Sequence, residues 1–381
     1  MSDKKTIVII GGGSAGAAIA RALSKALSPE THRIIVINPR PYLILLPASL
    51  RMVVSNVDNL DDPEKGALVP YDKLFLNDNG TVIQAAVTEV IQKPGEKNGS
   101  VILNTGEEIE YDALVLASGA RWGGPIDFPE GDKTVLFDYI AERREEFARA
   151  KDVLIVGGGS VAVELAGEIK DIWPDKPVTI IQRDTKLLNS TYTDRFRTRM
   201  QAQVESRGIN LILGDSLDIE GEIPSSTPAE GLKTKKGKVL KADLVVRATG
   251  AKPNTSYLPT SLSSVLTPKG TVKVQPTLQL PGYPNIFAAG DIIEWDEQKQ
   301  ASKAGLGHTP VVTNNIQEYL KGGKKMKEYK GSMEMIIVTN GKSNGLGYFN
   351  ILWGIVLGTW LSVLIKSRTL LVSMARKSIR N

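Results

Sequence analysis

Two glycine-rich turns are the residues of this sequence best suited to chemistry. Gly11-x-Gly13-x-x-Gly16 and Gly157-x-Gly159-x-x-Ala162 each follow a short Val/Ile-rich run and precede a stretch of helix formers. Glycines at that spacing allow a tight turn and let backbone N–H groups approach a pyrophosphate at a helix N-terminus. Ala serves as the third member because it still permits close helix packing. One such turn could be a mere glycine-rich bend; two, each set between a strand and a helix, point to two bound dinucleotides. The contacting residues are Gly11, Gly12, Gly13, Ser14, Ala15 and Gly16 in the first turn, and Gly157, Gly159, Ser160 and Ala162 in the second.

Adenosine ribose is usually held by a carboxylate at the end of the second strand of such a unit, and neither unit has one. The first ends in Asn38, whose amide oxygen can accept a ribose hydroxyl without charge assistance. The second ends in Gln182-Arg183, where the guanidinium is either a partner for a 2′-phosphate, favouring NADPH, or a solvated surface charge. Each unit is followed by an apolar strand closing on small residues, LVLASG ending at Gly119 and LVVRATG ending at Gly250, which would return the chain beside a nucleotide. NIFAAGD, ending at Asp291, has the same form.

The chain contains no Cys, which removes disulfide frameworks, thiolate metal sites and a redox-active dithiol, so any electron chemistry must belong to a bound cofactor. His32 and His308 are the only imidazoles, and no metal site is expected. A length of 381 residues, 41% of them hydrophobic, and a mean hydropathy of −0.10 fit two or three folded domains. Beyond Glu334 there is no acid but six basic residues, so the net +5 resides in the tail and the body is near neutral. No specific nucleic-acid binding is expected from that distribution. Met1 to Lys5 run directly into an apolar strand and position 2 is Ser, so neither a signal, a transit sequence nor myristoylation is expected, and cytoplasmic residence follows.

The elements that must position the two turns form two βαβ patterns. Periodicity predicts a strand over 6–10, a helix through 27 and a strand over 33–38, then a second set over 151–156, 161–171 and 178–182. Residues 221–238 read as a surface loop or hairpin, and 321–330 as a charged link. The fold class is α/β with two Rossmann-like dinucleotide-binding domains.

With those motifs in hand, the chain resembles the pyridine nucleotide-disulfide oxidoreductase superfamily, and within it the apoptosis-inducing-factor-like flavoproteins of the ferroptosis suppressor type. The resemblance covers nearly the whole chain and is most specific in GGGSVAVELAGEI (157–169), AGLGHTPVVTNNI (304–316) and KSRTLLVSMARKS (366–378). It implies non-covalent FAD, NADH or NADPH as reductant, and ubiquinone or a related isoprenoid quinone as acceptor. It implies FAD contacts at the first glycine turn, Arg51, Val87 and Asp291; a nicotinamide-orienting role for Glu164 in hydride transfer to flavin N5; and Lys366 on the flavin–quinone side, where a cation could stabilise quinone oxyanions. Asp291 could accept ribityl hydroxyls. Arg51 could neutralise the pyrophosphate or be a surface Arg on a helix beginning near Pro47. His308 could donate to a flavin or quinone carbonyl, or sit satisfied beside the cofactor.

The expected organisation is an FAD domain in two parts (1–122 and 253–330), an inserted NAD(P)H domain (123–252) and a C-terminal apolar and basic domain (331–381) that caps the quinone side. The uncharged run 348–365, with Trp353, Trp360 and Gly354-x-x-x-Gly358, could span a membrane. The reading preferred is peripheral attachment to a membrane or lipid surface through apolar contact and basic residues. A homodimer is compatible with it. Two rivals are a reductase of an electron-transfer protein and a flavoprotein death or signalling factor acting by binding.

Overall fold

The computed structural model describes residues 4–380. The chain begins with β1 (Lys5–Ile10), α1 (Ser14–Ala26), β2 (His32–Ile37), α2 (Leu46–Val54) and β3 (Gly80–Ile83). A small antiparallel sheet of β4 (Val87–Ile91), β5 (Gly99–Leu103) and β6 (Glu108–Tyr111) follows, before the chain returns as β7 (Ala113–Leu116). α3 (Lys133–Arg149) leads to β8 (Val153–Val156), α4 (Ser160–Ile172), β9 (Val178–Gln182), α5 (Asp194–Glu205), β10 (Ile209–Leu213) and β11 (Leu244–Arg247). β12 (Gln279–Leu280) and β13 (Tyr283–Ala288) then rejoin the first sheet, and a π-helical turn over Ala304–His308 runs into α6 (Thr309–Leu320).

The first sheet has the order β12-β13-β7-β1-β2-β3 and the second β10-β9-β8-β11. Except for the antiparallel edge strand β12, all their pairings are parallel, with Ile10 opposite Ile37 and Leu116, and Val156 opposite Ile181 and Arg247. Strands buried on both faces must be apolar throughout, and Ile7, Val8, Ile9, Val153, Leu154 and Ile155 are at most 2% exposed. β1 and β8 each stand between strands reached by opposite crossovers, so both glycine turns lie at a topological switch point, where the carboxyl ends of the strands part to leave a crevice. In residues 221–238 the hairpin reading holds for part: Leu232–Lys233 pairs with Val239–Leu240.

The C-terminal segment is a third unit: an antiparallel sheet of β14 (Met335–Thr339), β15 (Gly345–Phe349) and β16 (Ile355–Leu357), then α7 (Thr359–Ser362), a π-helical turn over Val363–Ser367 and α8 (Val372–Arg380). The uncharged run 348–365 is therefore broken. Leu352, Trp353 and Gly354 all have positive φ and turn the chain back on itself. Among the described residues no helix is long and apolar enough to cross a membrane, which overturns the spanning alternative for 348–365.

Among the contacts of this unit with the rest of the chain are two that lie outside the candidate functional site. Tyr348 meets Tyr192 and Phe196 in an aromatic cluster with centroids 5.4–5.7 Å apart. Arg376 on α8 gives its guanidinium to the carbonyls of Pro63, Glu64, Gly66 and Leu68, fastening the C-terminus to the loop after α2.

Candidate functional site

Both glycine turns have the same construction. Gly11 has φ +101° and Gly157 φ +114°; a Cβ at either would lie within 2.5 Å of a backbone carbonyl, that of Ala117 or Ala248. Gly13 and Gly159 are the N-caps of α1 and α4, neither helix start has a side-chain cap, and a Cβ at either glycine would meet nothing within 4 Å. Two helix N-termini thus present N–H groups, with their positive partial charge, to open space, the arrangement that binds phosphate. Ser14, Ala15, Ser160 and the buried Ala162 form the first turns of these helices. Gly119 and Gly250, also at positive φ, lie just past β7 and β11 with open space where a side chain would project.

The residues expected at the two riboses have a local task instead. Asn38 Oδ1 accepts the Gly12 N–H at 3.0 Å, and Gln182 Oε1 accepts the Gly158 N–H at 3.1 Å. Asn38 gives its amide N–H to the Arg40 carbonyl, and Tyr71, which the motifs did not flag, donates to the Gly12 carbonyl at 2.8 Å. Asn38 keeps one Oδ1 lone pair and one amide N–H for a ribose hydroxyl. Val87 opens β4 and Arg183 follows β9, exposed and without a hydrogen bond or ion pair among the described residues.

Asp291 follows β13 in a turn whose Gly290 lies against the first turn of α1, its Cβ position 3.0 Å from the Ala15 Cβ. Its carboxylate accepts no hydrogen bond from any described residue, and burial pushes its pKa up, with Lys299 and His308 only partly offsetting that. An orphaned carboxylate beside an uncapped helix N-terminus fits a ligand that carries hydroxyls next to a pyrophosphate, as the ribityl chain of FAD does.

His308 is buried, its Nδ1 accepting the Gly290 N–H at 3.0 Å and its Nε2 3.1 Å from Glu297 Oε1. Accepting at Nδ1 places the proton on Nε2, so both ring nitrogens are taken within the protein and neither is left to donate to a flavin or quinone carbonyl. Burial would raise the Glu297 pKa, but hydrogen bonds from His308 and Tyr329 and the charge of Lys303 outweigh it and hold the group below its ordinary value.

Arg51 departs most from expectation. It is buried, so it is not a surface residue, and its five N–H donors are all taken: two by Glu168 at 2.7 and 3.0 Å, the others by Asp58 and by the Ser367 and Arg368 carbonyls. That geometry leaves no donor for a pyrophosphate, and the phosphate-facing part falls to the helix N-termini.

One turn back along α4, Glu164 Oε1 accepts from the Thr339 backbone N–H at 3.0 Å and from Lys366 Nζ at 2.7 Å; Lys366 also donates to the Ile337 carbonyl at 2.8 Å. Glu164 and Glu168, four residues apart on one helix face, therefore hold Lys366-Ser367-Arg368 together, the first directly and the second through Arg51. Sequence reasoning named Glu164 and Lys366 separately and missed both their pairing and Glu168. The available signal was the i, i+4 repeat of carboxylates on a helix starting at a nucleotide turn, since a buried Glu requires a partner.

Comparison with known proteins agrees with this geometry. The family model described as pyridine nucleotide-disulphide oxidoreductase matches residues 5–311. The chain is 47% identical over 326 residues to the FAD-dependent oxidoreductase FVFD30 of Flammulina velutipes, covering 85% of this chain and 98% of that one. It is 29% identical over 376 residues to ferroptosis suppressor protein 1 of Taeniopygia guttata, covering 98% and 95%. In fold it is similar to the sulfide:quinone oxidoreductase of Aquifex aeolicus, with a TM-score of 0.72 at 18% identity over 98% of this chain and 92% of that one. With two uncapped nucleotide turns, an orphaned Asp291 and this match, the chain belongs to the pyridine nucleotide-disulphide oxidoreductase family and is an FAD-dependent oxidoreductase using NAD(P)H.

Proposed function

We propose that the protein is an NAD(P)H:quinone oxidoreductase. The observation that carries this reading is the Glu164–Lys366 pair, which joins the helix of the second nucleotide turn to the C-terminal unit. Glu164 spends only Oε1 on Thr339 and Lys366, leaving Oε2 to accept a nicotinamide carboxamide N–H. Lys366 spends two of its three N–H groups, leaving one for an acceptor oxygen on which negative charge develops. Bound FAD would supply the two-electron relay, taking hydride from the nicotinamide and passing electrons to the quinone. The first glycine turn, Gly119, Asn38, Val87 and Asp291 would hold FAD, with His308 fixing the Gly290–Asp291 turn. The second turn, Gly250 and Arg183 would hold NAD(P)H.

The C-terminal unit suits a lipid-dissolved acceptor. Leu352, Trp353, Trp360 and Leu364 are 64–95% exposed on a segment that carries only basic charge beyond Glu334. Aromatic and aliphatic side chains flanked by Lys and Arg favour the headgroup boundary of an anionic membrane, so peripheral docking through this face is part of the reading. Steady-state oxidation of NADH and NADPH by the holoprotein, with and without a water-soluble short-chain quinone, tests it. Quinone should accelerate turnover well beyond that with dioxygen; equal rates would defeat the quinone assignment.

A further inference from the structure

We infer that the second nucleotide site discriminates in favour of a 2′-phosphorylated dinucleotide, NADPH over NADH, through Arg183 and Lys236. This rests on the reading above that the Gly157 turn holds the reductant. A site selective for NADH uses a free carboxylate at the end of the second strand, accepting the ribose 2′-hydroxyl and repelling a 2′-phosphate. Here the equivalent position is Gln182, and its one acceptor oxygen is bonded to the Gly158 N–H at 3.1 Å. The side chain is also wedged against the turn, since a Cβ on Gly158 would come within 2.8 Å of it.

The two carboxylates next in line are committed elsewhere. Asp184 receives Arg197 Nη2 and the Thr185 backbone N–H, both at 2.7 Å. Asp215 is buried and accepts the Ser216 and Lys236 backbone N–H groups at 2.8 and 3.3 Å. What remains uncommitted at this edge is positive. Arg183 is exposed and unpaired among the described residues. Lys236 Nζ also has no partner among them, and it lies 3.6 Å from the Cβ position of Gly214, whose N–H is bonded to the Asp184 carbonyl. The hairpin of Leu232–Lys233 and Val239–Leu240 thus carries a second cation to the same strand end as Arg183. A planar guanidinium and an ammonium at a strand end whose amide cannot repel would together receive a phosphate dianion, and neither charge is paired among the described residues.

The test is the ratio of kcat/KM for NADPH to that for NADH, measured as flavin reduction in the holoprotein, with adenosine 2′,5′-bisphosphate and adenosine 5′-monophosphate compared as ligands by calorimetry. Wild type should favour NADPH and bind the bisphosphate more tightly. Arg183→Glu should lower the ratio by about ten- to a hundredfold, the size of a lost charge-assisted hydrogen bond. Lys236→Ala should lower it less, and Arg183→Gln, which keeps the surface polar and uncharged, should fall between. A wild type that reduces its flavin equally well with NADH, and binds the two nucleotides alike, would overturn the inference. If neither dinucleotide reduces the flavin but the bisphosphate still binds tightly and Arg183→Glu abolishes that, the phosphate site stands and the oxidoreductase reading fails.

Discussion

Replacing Glu168 by Leu removes the carboxylate that neutralises a buried guanidinium, with the two side chains only 5% and 7% exposed. Taking away one partner of a buried pair costs about 3–5 kcal/mol, because the other charge is left without compensation. Arg51 would retain Asp58 at 3.3 Å, a weaker contact, so the lower part of that range is expected. At about 2.1 cal/mol/K of unfolding entropy per residue, a chain of 381 residues has about 0.8 kcal/mol/K, so Glu168→Leu should lower the unfolding midpoint by about 4 °C. Adding Arg51→Met removes the stranded charge. The Ser367 and Arg368 carbonyls then lose their donor at about 1 kcal/mol each, and Asp58 keeps Lys342 at 2.6 Å. The double variant should therefore be more stable than Glu168→Leu alone, though below wild type. Thermal unfolding of both, followed by flavin release and circular dichroism, checks this. A Glu168→Leu midpoint within about 2 °C of wild type, or a double variant that sums the two single losses, would refute the reasoning.

Further outcomes follow from the same geometry. Asp291→Asn should weaken FAD binding by fluorescence titration, yet stabilise the apoprotein at neutral pH. A carboxyl whose folded pKa is raised favours the folded state at low pH and loses that contribution as pH rises through the raised value, so the Asn variant's advantage should vanish on acidification. His308→Ala frees the Gly290 N–H and should reduce FAD affinity about tenfold, with part restored in His308→Asn, whose side-chain oxygen can accept in its place. Glu164→Ala should slow flavin reduction by NADPH in stopped flow more than it changes flavin content. Trp353→Ser with Trp360→Ser should abolish cosedimentation with anionic vesicles while the protein stays yellow; retained sedimentation would remove the docking face.

Much of the fold was legible because local pattern and tertiary role coincide in it. The Val/Ile runs of β1 and β8 can only be buried parallel strands, and Gly11 and Gly157 each stand where a side chain would strike a carbonyl. The ribose positions were legible as departures, but not what Asn38 and Gln182 do instead, since the turn N–H groups they cap lie 26 and 24 residues away. Charge pairing was invisible for the same reason. Arg51 meets Glu168 across 117 residues and Glu164 meets Lys366 across 202, and no periodicity encodes a contact between elements so far apart. The run 348–365 kept a span open as the alternative to peripheral attachment, because its hydropathy alone suits one; left-handed backbone at Leu352 and Trp353 instead folds it into a hairpin and leaves Trp353 exposed.

The claim that electrons pass from NAD(P)H to a quinone through this site is tested most directly by double-mixing stopped flow without oxygen. The holoprotein is first reduced with one equivalent of NADPH and then mixed with a short-chain quinone while the flavin absorbance is followed. The expected result is rapid return of the oxidised flavin spectrum at a rate that rises with quinone concentration and falls in Lys366→Met. Flavin that stays reduced under quinone and reoxidises only when air is admitted would contradict the account.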